Sequence, residues 1–150
     1  MAIQIGDKLP NFKATKQDGT AFDSHEIHEK PVVIYFYPKD FTPGCTTQAC
    51  SFRDAYQDFQ DLGAEVIGVS GDSATSHQNF QQKYKLPFIL LSDADRKLRR
   101  LFGVPTALFG LLPGRVTYVF DAKGNCIYIF DSMSAKNHIE RALKAIHKAK

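Results

Sequence analysis

The sequence predicts an α/β protein whose central sheet is covered by helices on both faces. Three observations carry that reading. Val32-Val33-Ile34-Tyr35-Phe36-Tyr37 is the most apolar run in the chain. It lacks the polar alternation of a half-exposed strand, as expected at the centre of a sheet buried on two sides. Two further apolar runs, 64–70 and 87–91, alternate with stretches in which apolar residues recur at helical spacing. Finally, 115–120 and 126–130 flank Asp121-Ala122-Lys123-Gly124-Asn125 as a hairpin, and an amphipathic stretch, 135–148, closes the chain.

In order, residues 1–30 are short and turn-rich, with a hairpin expected across Asp18-Gly19 between 12–15 and 20–22. His25 and His28 stand three apart with no further ligand nearby, so they read as a solvated helical turn rather than a zinc site. A strand at 31–37 leads to a helix running to about Leu62, with Gly63 as its C-terminal cap. Ala49, Phe52, Tyr56 and Phe59 form its buried stripe. Cys45 lies four residues before Ala49, on the inward face; Cys50 is turned about 100° from Ala49, near the edge of the stripe.

After the strand at 64–70, Gly71-Asp72-Ser73 turns into a helix ending near Tyr84. A third strand follows at 87–91, then a polar turn at Ser92-Asp93 and a short helix, 96–102, closed by Gly103. Residues 106–114 read as a loop because they contain Pro113 and Gly114. The last helix should turn Ile139, Leu143 and Ile146 inward. One domain spanning 1–150 is expected, since no linker, repeat or low-complexity segment interrupts the pattern.

Composition excludes several classes. A hydrophobic content of 43% and a charged content of 23% are those of an ordinary globular chain. The net charge of +3 is mild, and no basic stripe interleaved with aromatics argues for nucleic acid. Lys97, Arg99 and Arg100 read as a solvated helix face. No apolar run approaches the ~20 residues of a membrane span. The N-terminus has no signal-peptide character. Three cysteines do not make a disulfide framework. Together these point to a cytoplasmic protein, or the mature form of an organellar one.

The chemistry is concentrated in Pro38-Lys39-Asp40-Phe41-Thr42-Pro43-Gly44-Cys45-Thr46-Thr47-Gln48-Ala49-Cys50. Thr42 is a suitable N-cap, and Pro43 suits the first helical position because it lacks an N–H there. Cys45 then falls in the first helical turn, where unpaired N–H groups and the positive dipole end favour an anion. Such a setting favours the thiolate, which is the nucleophilic form of cysteine. The N–H groups of Gly44 and Cys45 suit them to bind negative oxygen on a substrate.

The segment from Pro38 to Cys45 resembles the active-site loop of the peroxiredoxins: proline, three residues, threonine or serine, two residues, cysteine. A second cysteine five residues on resembles the peroxiredoxin Q (bacterioferritin comigratory protein) subfamily. Gly114-Arg115-Val116-Thr117-Tyr118-Val119-Phe120-Asp121 is similar to that family's later segment, which supplies an active-site arginine. The similarity in order and spacing covers nearly all of the chain. Gln48 departs from it, standing where the subfamily often has glutamate and removing the ion pair that glutamate would make. The resemblance implies a thioredoxin-like fold with an N-terminal hairpin extension. It implies a thiol-dependent peroxidase that needs no cofactor or metal, takes hydrogen peroxide and organic hydroperoxides, and is recycled by thioredoxin or a similar dithiol.

On that basis Cys45 is the candidate nucleophile and Cys50 the candidate resolving thiol. Thr42 and Arg115 would hold the thiolate and the peroxide oxygens, and Pro38 would shield the thiolate from water. Cys126 opens a strand with no cation or helix start evident beside it and reads as structural. Two other classes stay open. A thioredoxin-type thiol–disulfide oxidoreductase normally has a two-residue spacer, whereas four residues separate Cys45 from Cys50. A metal or interaction module would need Cys45, Cys50 and one of five scattered histidines. The absence of a C-terminal arm with a distant resolving cysteine leads us to expect a monomer. Because residues five apart in a helix sit more than ~8 Å apart at Cα, and a disulfide tolerates about 4.4–6.8 Å, joining Cys45 to Cys50 requires residues 45–51 to unwind.

Overall fold

The computed structural model describes residues 2–27, 29–107, 112–135 and 137–149. Strands β1 (Lys13–Lys16) and β2 (Ala21–Asp23) form the hairpin expected across Asp18-Gly19, with Thr15 opposite Ala21. A 3-10 turn, Ser24–Glu26, follows. It holds His25 beside Asp23 at the surface; His28 lies outside the described residues. Then come β3 (Val32–Phe36), α1 (Pro43–Asp54), α2 (Tyr56–Asp61), β4 (Glu65–Ser70), α3 (Ala74–Tyr84), β5 (Ile89–Ser92) and α4 (Lys97–Phe102). The short strands β6 (Thr106–Ala107) and β7 (Leu112–Pro113) pair with each other. The chain ends in β8 (Val116–Phe120), β9 (Cys126–Asp131) and α5 (His138–Lys148).

Seven strands form one mixed sheet in the order β2-β1-β5-β4-β3-β8-β9. β3, β4 and β5 are parallel, and the outer pairings are antiparallel. All five residues of β3 are buried, which explains the unbroken apolar run. The strand's two-residue period splits it between two cores. Val33, Tyr35 and Tyr37 meet Ala49 and Phe52 of α1, Phe59 of α2, Phe80 of α3 and Ile146 of α5. Val32, Ile34 and Phe36 meet Phe12, Leu98 and Phe102 on the other face. Phe52 stacks on Tyr35 with ring centroids 4.5 Å apart. Gly68 of β4 makes room for that ring, because a Cβ there would lie 2.9 Å from Tyr35 atoms. Burying one such phenylalanine contributes roughly 1.5–3 kcal/mol.

Four expectations change. The single helix to Leu62 is interrupted at Ala55. The interruption falls where the chain passes from packing on β3, through Phe52, to bonding β4, where the Tyr56 hydroxyl donates to Glu65 at 2.9 Å. Gly63 still follows α2 with φ of 73°. The loop reading of 106–114 gives way to the β6–β7 pair, with 108–111 outside the described residues. Arg99 is not on a solvated face. It is buried, its guanidinium donating to the carbonyls of Gly114 and Tyr37 at 3.2 and 3.3 Å. Burial lowers its pKa from the usual arginine value, while Lys97 and Arg100 stay exposed. The last helix begins at His138 rather than 135, and Ala142 and Ile146 are its most buried apolar residues, with Ile139 and Leu143 partly buried.

Candidate active site

β3 delivers the chain to the turn that starts α1. Pro38 is half-buried in that turn. Thr42 has the extended backbone of an N-cap, with φ −79° and ψ 152°, and Pro43 occupies the first helical turn. The Thr42 side chain does not cap the helix; its hydroxyl donates to the Lys39 carbonyl at 2.9 Å. The first intrahelical bond runs from Thr46 N to Thr42 O at 2.8 Å. The N–H groups of Gly44 and Cys45 therefore precede any i−4 carbonyl within the helix, as at every helix start.

Cys45 points inward and is about 1% exposed. The side chain that meets it comes from 70 residues away. Val116 pairs with Phe36, so Arg115 stands beside the end of β3, where the α1 turn begins. Arg115 is 4% exposed. Its Nη2 donates to Cys45 Sγ at 3.4 Å, its Nη1 to Gln48 Oε1 at 2.5 Å and its Nε to the Met133 carbonyl at 3.0 Å. Three directed donors fix the plane of the guanidinium. Gly44 is small for a reason, since a Cβ there would sit 3.0 Å from Arg115 Nη2.

Gln48 has no exposed surface and lies one turn after Cys45. Its amide oxygen takes the place a carboxylate would occupy, so Arg115 is bonded here to a neutral acceptor. Its Nε2 has no hydrogen-bond partner; leaving a buried donor unpaired costs about 1–3 kcal/mol. The sulfur is thus the one group among these three acceptors able to carry negative charge. Tyr35 lies in the same core; burial, then the neighbouring Cys45, pushes its phenol well above the usual tyrosine range, keeping it a neutral hydroxyl.

The support behind Arg115 was not legible in the sequence. The Ser132 amide donates to the Arg115 carbonyl at 3.1 Å, and the next residue, Met133, accepts from Arg115 Nε. His138, fully buried at the start of α5, joins Ser132 O at 2.9 Å to Thr117 Oγ1 at 2.7 Å. Burial lowers its pKa from the usual histidine value, which suits a neutral ring with Nε2 donating to the carbonyl.

Cys50 sits half-exposed farther along α1, and all three cysteines are free thiols. A groove of about 570 Å³ runs beside it between α1 and α5, lined by Pro43, Gly44, Thr47, Ser51, Ile139 and Leu143. The structure therefore brings Cys45, Gly44, Gln48 and Arg115 together. It leaves Cys50 on the same helix, at a separation set by helix geometry, and Thr42 turned to Lys39. The metal reading meets a different outcome. Among the described residues, the group of three potential ligands is Asp40, Asp72 and His77, and it includes neither Cys45 nor Cys50.

Comparison with known proteins agrees with this geometry. Residues 5–129 match the model of the AhpC/TSA family. The chloroplastic peroxiredoxin Q of Oryza sativa subsp. japonica is 53% identical over 145 residues, covering 96% of this chain and 67% of that protein. The chloroplastic peroxiredoxin Q of Arabidopsis thaliana is 49% identical over 148 residues, covering 98% and 68%. Among solved structures, peroxidoxin BcpB from Mycobacterium tuberculosis superposes with a TM-score of 0.90 at 32% identity, covering 99% of both chains. Peroxiredoxin Q of Xanthomonas campestris gives 0.84 at 32% identity, covering 91% and 90%. A cysteine on a helix start facing a buried arginine, on a mixed sheet with this similarity from end to end, places the chain in the AhpC/TSA family as a peroxiredoxin of the Q (bacterioferritin comigratory protein) kind.

Proposed function

We propose that this thiol-dependent peroxidase works through Cys45 as the nucleophile and Cys50 as the resolving thiol, within one chain. The observation that carries the assignment is the 3.4 Å contact between Arg115 Nη2 and Cys45 Sγ at the start of α1. A guanidinium stays charged and offers planar donors, so it favours the thiolate and can grip a peroxide oxygen as the O–O bond breaks.

In the first step Cys45 thiolate attacks the terminal oxygen of ROOH. The S–O bond forms to the terminal oxygen, which keeps its hydrogen, the O–O bond breaks, and the leaving RO⁻ takes one proton from solvent to depart as ROH, leaving Cys45 as the sulfenic acid. Arg115 and the N–H groups of Gly44 and Cys45 hold the oxygens; Thr42 and Pro38 shape the turn that shields the sulfur. In the second step the Cys50 thiol attacks the Cys45 sulfur, an S–S bond forms, and water leaves. In the third a thioredoxin-like dithiol reduces the disulfide and becomes oxidised itself. The mostly apolar groove beside Gly44 offers room for the alkyl part of an organic hydroperoxide.

The second step needs movement, because α1 is intact from Pro43 to Asp54. Opening residues 45–51 releases only Cys45, Gln48 and Ala49 from burial, whereas Phe52 and Phe59 beyond them are fully buried. Releasing either phenylalanine would cost about 1.5–3 kcal/mol on its own, so the later part of the helical segment stays docked. Both cysteines lie on one helix, which suits a monomer resolving its own sulfenic acid. No helix among the described residues is long and apolar enough to cross a membrane. The plant relatives are chloroplastic, so a reducing organellar compartment fits the chain as well as the cytoplasm expected from its composition.

The test is Cys50→Ser. The variant is expected to consume one equivalent of hydrogen peroxide and then fail to recycle with thioredoxin. Full recycling would show that another thiol resolves Cys45.

A further inference from the structure

The segment between β3 and α1 is held by a buried polar cluster that the redox chemistry does not use. Asp40 is 4% exposed and His77 of α3 has no exposed surface. His77 Nε2 lies 2.9 Å from the Leu91 carbonyl, which can only accept, so Nε2 carries a hydrogen. His77 Nδ1 lies 2.7 Å from Asp40 Oδ2. Two acceptors cannot face each other at that distance, so one proton sits between them, whichever atom bears it.

The remaining capacity of Asp40 is also taken up. Tyr37 donates to its Oδ1 at 2.6 Å, and Ser76 of α3 to its Oδ2 at 2.9 Å. Burial, then the charge of Asp40, raises the Tyr37 phenol well above its usual range, so that hydroxyl stays a donor. The Asp40 amide donates to Asp72 Oδ2 at 2.8 Å, which also accepts from Ser70 of β4 at 2.6 Å. With these polar atoms engaged by the protein itself, the cluster is a clamp rather than a metal site.

A second observation points the same way. Phe41 has φ of 65°, a conformation that a bulky L-residue keeps only where its surroundings over-determine it. Its ring packs edge-on against Phe80 of α3, centroids 5.1 Å apart, with Tyr84 at 6.4 Å. Asp40 and Phe41 thus fasten adjacent residues to the same helix, one by polar contacts and one by ring contacts. The chain immediately after them, from Thr42, has no comparable anchor to α3 among these contacts and leads straight into Cys45.

We propose that Asp40 and His77 are positioning residues: they clamp residues 38–42 to α3, so that when Cys45 and Cys50 join, unwinding of α1 stops at Thr42 and the turn carrying Pro38 and Thr42 keeps its place. This rests on the Cys45–Cys50 disulfide proposed above. It gives the unwinding segment a fixed boundary on its N-terminal side, as Phe52 and Phe59 give it one on the other. On reduction, Cys45 then refolds onto an undisturbed turn facing Arg115.

Amide exchange by NMR in the reduced and the peroxide-oxidised wild-type protein tests this, with intact mass and peptide mapping on the same samples. The expected result is fast exchange over 45–51 after oxidation, with the Asp40 amide as protected as before. Loss of Asp40 protection together with a confirmed Cys45–Cys50 disulfide would overturn the clamp alone. Absence of that disulfide would overturn the reading beneath it, and the clamp with it. Variants separate positioning from simple stability. Asp40→Asn supplies a hydrogen to His77 Nδ1 and is expected to keep the peroxide step within about threefold, whereas Asp40→Ala is expected to slow it roughly ten- to hundredfold, the scale of a misplaced reacting group. Reduction of the already formed disulfide by dithiothreitol should be unchanged in both. Equal loss in both variants would overturn the clamp.

Discussion

Cys45 and Cys126 are equally hidden, each about 1% exposed, yet their surroundings differ in every other respect. Cys45 lies in the first turn of α1 with a guanidinium 3.4 Å from its sulfur. Cys126 opens β9, its thiol directed to the Tyr128 carbonyl at 3.8 Å. Burial pushes the Cys126 thiol up to about 11; hydrogen bonding with the Tyr128 backbone opposes it in part, and Asp7 adds a lesser push upward. Hiding a thiol from water does not make it reactive. It disfavours the thiolate unless a fixed cation and unpaired N–H groups replace the lost solvent. Cys45 has a guanidinium beside it and stands at a helix start, whereas Cys126 meets a carbonyl oxygen.

The largest test of that contrast is paired substitution. Cys45→Ser is expected to abolish thiol-dependent peroxide reduction, and Cys126→Ser to leave the rate within about twofold, as for a replacement away from the reacting atoms. Stopped-flow consumption of hydrogen peroxide reads both. Near-normal turnover without Cys45, or a large loss without Cys126, would break the comparison.

A smaller effect isolates the cation. Arg115→Ala is expected to slow the second-order reaction with peroxide by roughly 10²–10³-fold, the cost of losing one transition-state donor, or about 2.7–4 kcal/mol. The backbone N–H groups of Gly44 and Cys45 would remain, so the loss should stay short of that in Cys45→Ser. An unchanged rate would show that the 3.4 Å contact has no part in the chemistry.

The smallest effects are on stability against pH. The Cys126 thiol is raised from 9.0 to about 11 in the folded protein. Its contribution is therefore present below about 9 and is lost as pH climbs towards 11, because the unfolded chain releases that proton first. His138 has the opposite sign. Its folded pKa is lowered by burial from 6.5, so its contribution is complete above 6.5 and is lost as pH falls below it. Thermal melts should drop by a few degrees on either side, on the scale expected for about 1 kcal/mol. Cys126→Ser should flatten the alkaline side and leave the acid side as it was.

The two cysteines also show what can be read from sequence. The strand leading into Cys45, its place in a first helical turn and the strand start at Cys126 were all legible, since each is a local pattern of apolar period, proline and glycine. The β1–β2 and β8–β9 hairpins were legible for the same reason. What the pattern could not supply was any contact across the sheet. Arg115 was identified by resemblance to a family, because nothing local says that a residue 70 positions on will face Cys45. His138, Ser132 and Met133, which orient Arg115, carry no local signal. Arg99 looked solvated because it sits among other basic residues, and only the packing of α4 turns it towards Gly114 and Tyr37. The break at Ala55 likewise depends on which strand each half of the segment meets.

The most direct measurement is the fate of all three thiols after one equivalent of hydrogen peroxide. Non-reducing peptide mapping by mass spectrometry, with free thiols alkylated beforehand, reads each one. The expected products are a Cys45–Cys50 disulfide within a single chain and an alkylated, unoxidised Cys126. A disulfide or oxygen adduct on Cys126, with Cys45 alkylated and unchanged, would contradict it.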